Sequence, residues 1–453
     1  MKNLTVKNIV SAVNGDWRGD EALLDREISF VTTDSREVLA DCLFAAIKGE
    51  KSDGHDYIGA SLEKGALCAI AERLPEGSAL PVILVKNTVE ALGELAAFYR
   101  RGFNIPFLGI TGSVGKTTSK EMVSAVLSQR FKVHKTPKNL NNELGVPLTL
   151  FALEESHEFA VIEMGISHFG EMKRLAEIVR PDMALYTAIG SAHLEFLGDF
   201  DGVLRAKTEL IEYLPEDGTV FVNGDDDTLK KIDCKQKICR FGVSSDCDVR
   251  AENVRLLGTQ GMELDIISGS RRIPAKINAF GVHMVTSALG AAAVGIHRGL
   301  TDEEISAGIA SYIPVGSRSG IIKTEKITII DDCYNANPNS VASAIDSLSL
   351  LPNRRVCILG DMGELGETAA ALHYKTGEHA AEKGIDLLIA CGELSASTAE
   401  GAKKSGCKNV LHFKDKSELI SELPSLIESG DAVLVKASHS RKFEDIVEAL
   451  KKL

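Results

Sequence analysis

A three-domain α/β fold is predicted by three observations. The chain has 453 residues, and at roughly 150 residues per domain that length suggests about three cores. Beyond about residue 105, short β-branched or aliphatic runs alternate with longer helical patterns, the rhythm of parallel strands joined by crossover helices. That rhythm is interrupted by "IPVGSRSG", residues 313–320, whose Pro, Gly and Ser mark a boundary.

Each part has its own signature. Residues 1–100 form a small α/β module, with "ISFVTTDSREV", "CLFAAIKG" and "PVILVKN" as short strands around one helix expected from Ser61 to Glu72. Residues 101–314 form a central domain with a mostly parallel sheet, its strands reading "PFLGI", "KVHKT", "FAVIEMG", "MALYTAIG" and "TVFVNG". Residues 315–453 repeat the pattern as a Rossmann-like, doubly wound domain with strands "ITIID", "RVCILGD", "DLLIACG", "NVLHF" and "AVLVKAS".

Composition excludes several classes. A net charge of −13 with no long Lys/Arg run repels a polyanion, so no nucleic acid partner is expected. Lys7 interrupts the N-terminus before an apolar signal region develops, and the weakly polar stretch from Met284 to Ile296 falls short of the ~18 residues a membrane span needs. A soluble, cytoplasmic protein without membrane insertion is expected. Nine cysteines, an odd count without a C-x-x-C pair, read as scattered reduced thiols; Cys234, Cys239 and Cys247 lack metal-ligand spacing.

The most informative stretch is "GITGSVGKTTSKEM", Gly109 to Met122. A buried strand, a Gly-rich turn and a helix N-terminus bring backbone N–H groups and the helix dipole against phosphate oxygens. Gly112, Ser113, Gly115, Lys116, Thr117 and Thr118 form the loop: Lys116 pairs with terminal phosphates and the Thr117 hydroxyl takes a place on Mg²⁺. Ile110 stands where the standard Walker pattern has Gly, so the match is to T-G-x-x-G-K-T-T. Nucleoside triphosphate binding by a central domain of P-loop type is thus expected. A GTPase, a kinase and an ATP-dependent ligase could all own such a loop, and the lack of an N-K-x-D guanine reader disfavours the first.

Two further residues fall at or just past predicted strand ends, where open α/β sheets bind ligands: Glu163 in "VIEMG" and His193 in "GSAHLEFLG". An oxygen and a nitrogen donor there suit Mg²⁺ completed by phosphates and water. Read singly, Glu163 would be a cap or loop carboxylate and His193 a hydrogen-bonded structural histidine; their shared location weakens that reading. Lys207, on a helix with Leu204, Leu210, Ile211 and Leu214 as apolar face, reads by itself as a solvated surface lysine.

Together "TGSVGKTT", "EMG", "AHLE" and "AKTE" resemble, in order and spacing, the Mur ligases, ATP-dependent amide-forming enzymes of peptidoglycan precursor synthesis. The resemblance covers essentially the whole chain. "YNANP" with "GDMGELG" is its most discriminating pair, and with "TDSREV", "FAAIKGEKSDGHDYI" and "KNLNNELGVPLTL" it points to the member that joins D-alanyl-D-alanine to UDP-N-acetylmuramoyl-tripeptide. The resemblance implies ATP, two Mg²⁺ sites and a CO₂-derived carbamate on Lys207. It assigns Thr117, Glu163, His193 and Lys207 to the metal sites and Lys116, His193 and Lys207 to catalysis. It implies that Arg318, Asn335 and Asn337 meet ATP, that Ser35, Arg36, Asp53, Gly54 and His55 receive the UDP-sugar, and that Asn139, Asn141 and Asn142 line the acceptor channel. Lys436, Ser438 and Arg441 would form the dipeptide pocket. Bland roles coexist with these: Asn337-Pro338 reads as a helix N-cap and first residue, and Asn-rich segments supply turns.

The chain departs from the family pattern at several positions. Met284 and Ser287 replace two asparagines, Ala188 stands where Asn is common, Ala437 where Gly usually follows the lysine, and Ser317 where Gly precedes the arginine. None is expected to touch the phosphate or metal residues through its side chain. Closure about a hinge near Gly316 and a monomeric working unit are expected. The rival readings are a sibling ligase adding a single amino acid and a nucleotide-switched binding protein.

Overall fold

The computed structural model describes residues 1, 3–49, 52–74, 80–191 and 193–453; Glu50, Lys51 and Ala192 of the motifs above lie outside them. The described residues form three sheets. The first has the order Asp16–Arg18, Val82–Leu84, Cys68–Ala71, Leu43–Ala45, Val31–Thr32, parallel except for its first strand. The helix expected over 61–72 is two elements: it spans only Ile58–Glu63, and Cys68–Ala71 is a strand. Cys68, Ala69, Ile70 and Ala71 are all buried, and a run buried on both faces suits a central parallel strand. The module also holds the helices Val6–Ala12 and Thr88–Arg100, so it has more than the one helix expected.

The second sheet has nine strands. Seven are parallel, the first six in the order Lys237–Gly242, Thr219–Asn223, Met183–Tyr186, Phe107–Thr111, Phe159–Glu163, Val133–Lys135. Beyond Lys237–Gly242 the sheet continues with Val249–Leu256, still parallel, and then turns antiparallel through Met262–Ser268 and Arg271–Ile277. None of these last four strands was expected from sequence. The hairpin's signal was available, because "MELDIIS" and "RRIPAKI" alternate apolar and polar residues around Gly269. Asn253, at positive φ, lies where the register slips between Glu252 and Arg255. The apolar stretch from Met284 forms the helix Met284–His297, buried against the phosphate-loop helix Lys116–Leu127. No helix among the described residues is long and apolar enough to cross a membrane.

The third sheet follows the expected strands, in the order Thr328–Asp331, Ala432–Lys436, Arg355–Gly360, Leu387–Cys391, Val410–Phe413, with Gly320–Lys323 added antiparallel at one edge. Its helix Pro338–Ser349 begins as the dipeptide Asn337-Pro338 dictates. The Asn337 side chain accepts from the Ser340 amide at 2.9 Å, and Ser340 answers to the Asn337 amide. Asn337→Ala should therefore cost about 1 kcal/mol of stability, read as a lowered urea midpoint at unchanged slope.

The N-terminal module is fused to the central sheet through its last helix. Leu92, Leu95, Ala96 and Tyr99 share one buried core with Leu150, Phe151, Met172 and Leu175. Arg100 seals the seam, its guanidinium 3.9 Å from the centroid of the Phe107 ring while Nε donates to the Val179 carbonyl at 2.7 Å. This packing anchors the strand that leads into the phosphate loop.

Candidate active site

Three central strands, Met183–Tyr186, Phe107–Thr111 and Phe159–Glu163, lie side by side and end at the same sheet edge, which faces the third sheet across a cavity of about 900 Å³. Ser113, Gly115, Lys116, Thr117, Thr118, Asn139, Asn141, Asn142, Glu163 and His193 line it from the central side; Arg318, Asn335, Asn337 and Lys436 line it from the C-terminal side. Residues far apart in sequence thus meet around one space at the carboxyl ends of two sheets, the ligand position of open α/β folds.

The phosphate loop is built by its glycines. Gly115, at φ +82, precedes the helix, and Gly112, at φ +150, passes so close to Thr187 that an added Cβ would lie 2.0 Å from its Oγ1. Thr187 cannot simply swing away, because Oγ1 donates to the Val114 carbonyl at 2.5 Å. Ser113 is held by its amide on the Ala188 carbonyl at 2.7 Å. Gly112→Ala should cost about 2 kcal/mol through overpacking and abolish detectable ADP binding by calorimetry. Lys116 donates to the Gly112 carbonyl at 2.8 Å, curled back into the loop. Burial pulls its ammonium below the usual lysine range; Glu163 opposes that shift and Arg318 adds to it.

Glu163 is buried, with Oε1 accepting from Asn141 Nδ2 at 2.7 Å and from the Thr117 hydroxyl at 3.2 Å. Its Oε2 has no hydrogen-bond partner and only an ion-pair neighbour, Lys120 Nζ, at 3.6 Å. An unpaired buried carboxylate oxygen beside a threonine hydroxyl fits Mg²⁺, which takes hard oxygen ligands and keeps several waters. Among the described residues no group of three or more His, Cys, Asp or Glu could hold a metal, so a cation here would draw on Thr117, phosphate oxygens and water. His193 starts a short helix at φ +59, and its Nδ1 lies 2.7 Å from Glu364 Oε2 of the C-terminal domain. Glu364, itself at φ +60, belongs to "GDMGELG" yet was not singled out from sequence; only the approach of the two domains gives it a partner.

Lys207 is 2 % exposed, not a solvated surface residue. Burial holds its amine well below the usual lysine range, the charge of Lys116 adds to the shift, and Glu171 opposes it. A neutral amine is the form that reacts with CO₂; burial shifts Lys207 toward that form, and the Lys116 charge would suit an anionic carbamate there.

On the C-terminal side, Arg318 stacks its guanidinium 3.6 Å from the centroid of the Tyr334 ring. Lys436 is buried and donates to Asp332 Oδ2 at 2.6 Å and to the Asn335 carbonyl at 2.9 Å. The Asn335 side chain accepts from the next amide, Ala336, at 2.9 Å. Ser438 and Arg441 do not line the cavity. The Ser438 hydroxyl accepts from the Gly363 amide at 2.9 Å, and Arg441 Nη2 lies 3.0 Å from Oδ2 of the buried Asp361. On the adjoining helix Met284 is core, and Ser287 meets the cavity with its hydroxyl 3.2 Å from that of Ser119.

Ser35, Arg36, Asp53, Gly54 and His55 belong to the N-terminal module and do not line this cavity. Both ring nitrogens of His55 are engaged there: Nδ1 lies 2.6 Å from Asp53 Oδ1, and Nε2 accepts from the Glu72 amide at 3.0 Å. The His55 amide and Arg73 hold the Asp53 carboxyl well below the usual carboxylate range. Arg36 is exposed, paired to Asp34, and the Ser35 carbonyl accepts from Lys64 Nζ at 2.9 Å.

Comparison with known proteins agrees with this geometry. Family models for the Mur ligase family catalytic domain, the Mur ligase middle domain and the Mur ligase glutamate ligase domain match residues 27–100, 110–295 and 317–439. A UDP-N-acetylmuramoyl-tripeptide–D-alanyl-D-alanine ligase of Escherichia coli is 36% identical over 459 residues, covering 99% of each chain. The solved structure of MurF from Acinetobacter baumannii is 31% identical and superposes with a TM-score of 0.92 over 99% of both chains. MurF ligase from Thermotoga maritima, solved in complex with ADP, is 28% identical with a TM-score of 0.84 over 93% of this chain and 97% of that one. Three Mur ligase family models placed in succession along the chain, with a curated relative 36% identical over 99% of it, make this chain a member of the Mur ligase family.

Proposed function

We propose that the chain is an ATP-dependent ligase that joins D-alanyl-D-alanine to UDP-N-acetylmuramoyl-tripeptide in peptidoglycan precursor synthesis. The observation that carries the reading is one cavity shared by the phosphate loop, the half-unpaired Glu163 carboxylate, the Asn139–Asn142 segment and the C-terminal Arg318 and Lys436. A switch protein needs the first of these; a ligase needs them all within reach of one another.

A carboxylate is a poor acyl donor because its leaving group would be oxide. The terminal carboxylate of the tripeptide attacks the γ-phosphate in line and yields an acyl phosphate and ADP. Lys116 moves from the Gly112 carbonyl onto the transferring phosphate, where its fixed charge stabilises the transition state. Thr117 and Glu163 would hold one Mg²⁺ and His193 would help hold a second. Bound Mg²⁺ draws negative charge from the phosphate oxygens. Asn141 keeps Glu163 in place, and Lys207, as its carbamate, would support the metal site. The amine of D-alanyl-D-alanine then attacks the acyl carbon and expels phosphate. Arg318, Asn335 and Asn337 meet ATP from the C-terminal side; Lys436, Ser438 and Arg441 receive the dipeptide. The His193–Glu364 pair joins the central and C-terminal domains, and closure of those domains over both substrates would keep water from the acyl phosphate.

Residues 1–100 are assigned to the UDP-sugar, with Ser35, Arg36, Asp53, Gly54 and His55 as its contacts, 101–314 to ATP, and 315–453 to the dipeptide and part of ATP. The enzyme works as a cytoplasmic monomer.

The test is phosphate release from ATP with UDP-N-acetylmuramoyl-tripeptide and D-alanyl-D-alanine, D-alanine or no amine, with the product weighed by mass spectrometry. Turnover only with the dipeptide, and a product of matching mass, supports the reading. Turnover with D-alanine alone would favour a single-residue ligase, and release indifferent to both substrates would leave a nucleotide-hydrolysing switch.

A further inference from the structure

The mechanism leaves the buried ammonium of Lys120 unused. Lys120 lies one turn beyond Lys116 on the phosphate-loop helix, and its side chain is fully buried. Two lysines four residues apart share a helix face and repel each other. A buried ammonium is costly unless paired, and an apolar residue of similar volume often serves stability as well or better. Lys120 is fully engaged instead. Its Nζ donates to the Thr136 carbonyl at 2.7 Å and to the Lys138 carbonyl at 3.3 Å. It also lies 3.1 Å from Glu121 Oε1 and 3.6 Å from Glu163 Oε2.

Lys120 and these partners belong to three separate pieces of chain. The carbonyls belong to the segment leading into Asn139, Asn141 and Asn142; the Glu163 carboxylate ends a central strand; Lys120 itself rides on the helix that starts at the phosphate loop. The pieces are tied to each other around it: Thr136 Oγ1 accepts from the Glu163 amide at 2.9 Å, and the Gly165 amide donates to the Asn141 carbonyl at 2.8 Å. Glu121 is held in turn by Lys135. One ammonium therefore fixes the distance from the phosphate loop to both the metal-facing carboxylate and the asparagine segment.

We propose that Lys120 is a positioning residue for the acceptor: it holds the 136–142 segment and Glu163 so that the acceptor carboxylate arrives in line with the terminal phosphate. This rests on the reading above, in which Asn139, Asn141 and Asn142 receive the acceptor. Lys120 touches neither substrate, so its loss acts through the segment it anchors.

The experiment compares Lys120→Met, similar in reach but without charge or donors, with the wild type in the tripeptide-dependent assay, alongside thermal melting. The expected result is a split: kcat/KM for UDP-N-acetylmuramoyl-tripeptide falls about a hundredfold, the order a misplacement of ~1 Å produces, while KM for ATP stays within about threefold of wild type on the same principle. Unchanged parameters for both substrates, or equal losses for both that track a lowered melting temperature, would overturn the proposal and leave a merely structural lysine. If Lys120→Met does not fold, Thr136→Val loosens the same segment at the Glu163 amide and should give the same split; equal losses there overturn it likewise. A wild type inactive with these substrates would strike down the ligase reading and the Lys120 role together. An active wild type beside an unsplit variant removes only the latter.

Discussion

Lys116→Met should lower kcat by about a thousandfold, the upper range for losing one preorganised charge from a transition state, equivalent to ~4 kcal/mol. Three features set that magnitude. The lysine stands at the first position of a helix whose dipole already favours phosphate, the loop glycines admit no side chain that could take its place, and burial raises the value of its charge against a developing negative one. In this structure Nζ is spent on the Gly112 carbonyl, so methionine leaves one carbonyl without its donor and little else changes in the resting fold. The melting temperature should therefore move by only a few degrees, on the order expected for one lost hydrogen bond. Single-turnover formation of ADP in the presence of tripeptide reads the loss directly, and a drop of less than about tenfold would remove Lys116 from the transition state.

Lys207→Met should cost about a hundredfold or more in kcat if the buried amine carries a carbamate that supports the metal site. The amine nitrogen forms a bond to the carbon of CO₂ and gives up one proton, which requires the neutral amine. Burial supplies that form by holding the group well below the ordinary lysine range. Wild-type activity should accordingly fall in CO₂-scrubbed buffer and return with bicarbonate, whereas Lys207→Met should ignore bicarbonate. Because protonation removes the reactive amine, the bicarbonate response should weaken as pH falls through the lowered amine value and strengthen above it. Isotope-labelled bicarbonate observed by NMR checks the adduct itself. A wild type indifferent to CO₂, with no labelled adduct, would leave Lys207 as a buried amine with no part in the chemistry.

Both residues sit in short motifs, yet they were legible to different degrees. The form of the phosphate loop could be read from the string: strand, turn and helix are contiguous, and Gly112, Gly115, Lys116 and Thr117 take their places from spacing within a dozen residues. Asn337-Pro338 is similar, since a cap and a first helical residue are local. Parallel strands such as Phe107–Thr111 and Leu387–Cys391 announced themselves as short, wholly buried aliphatic runs. The 61–72 stretch misled because an apolar run of mixed length satisfies helix and buried strand alike, and only its pairing between Leu43–Ala45 and Val82–Leu84 decides.

The site beyond the loop was legible in part. Glu163 and His193 were marked by strand ends, but the unpaired Oε2 and the Glu364 partner depend on which loops the strand order brings alongside. Lys207 read as a surface residue from its own helix and is in fact buried, because helix Phe200–Thr208 is capped by Asp199 and turned so that Lys207 faces inward with Val203 and Ala206. Lys120 gave no signal at all: a lysine within a helix is ordinary until the 136–138 carbonyls close over it.

The sequence by itself determined the α/β alternation, the strand–turn–helix form of the Gly-rich loop, the helix start at Asn337, and, through motif order, the family. Tertiary structure alone decided which charges are buried, which carboxylate oxygen is left unpaired, and which residues of two domains face one cavity. The division is physical. Backbone hydrogen bonding and side-chain periodicity act over a few residues and leave their pattern in the string. Desolvation and ion pairing depend on the distance between segments that sheet order and domain contact bring together.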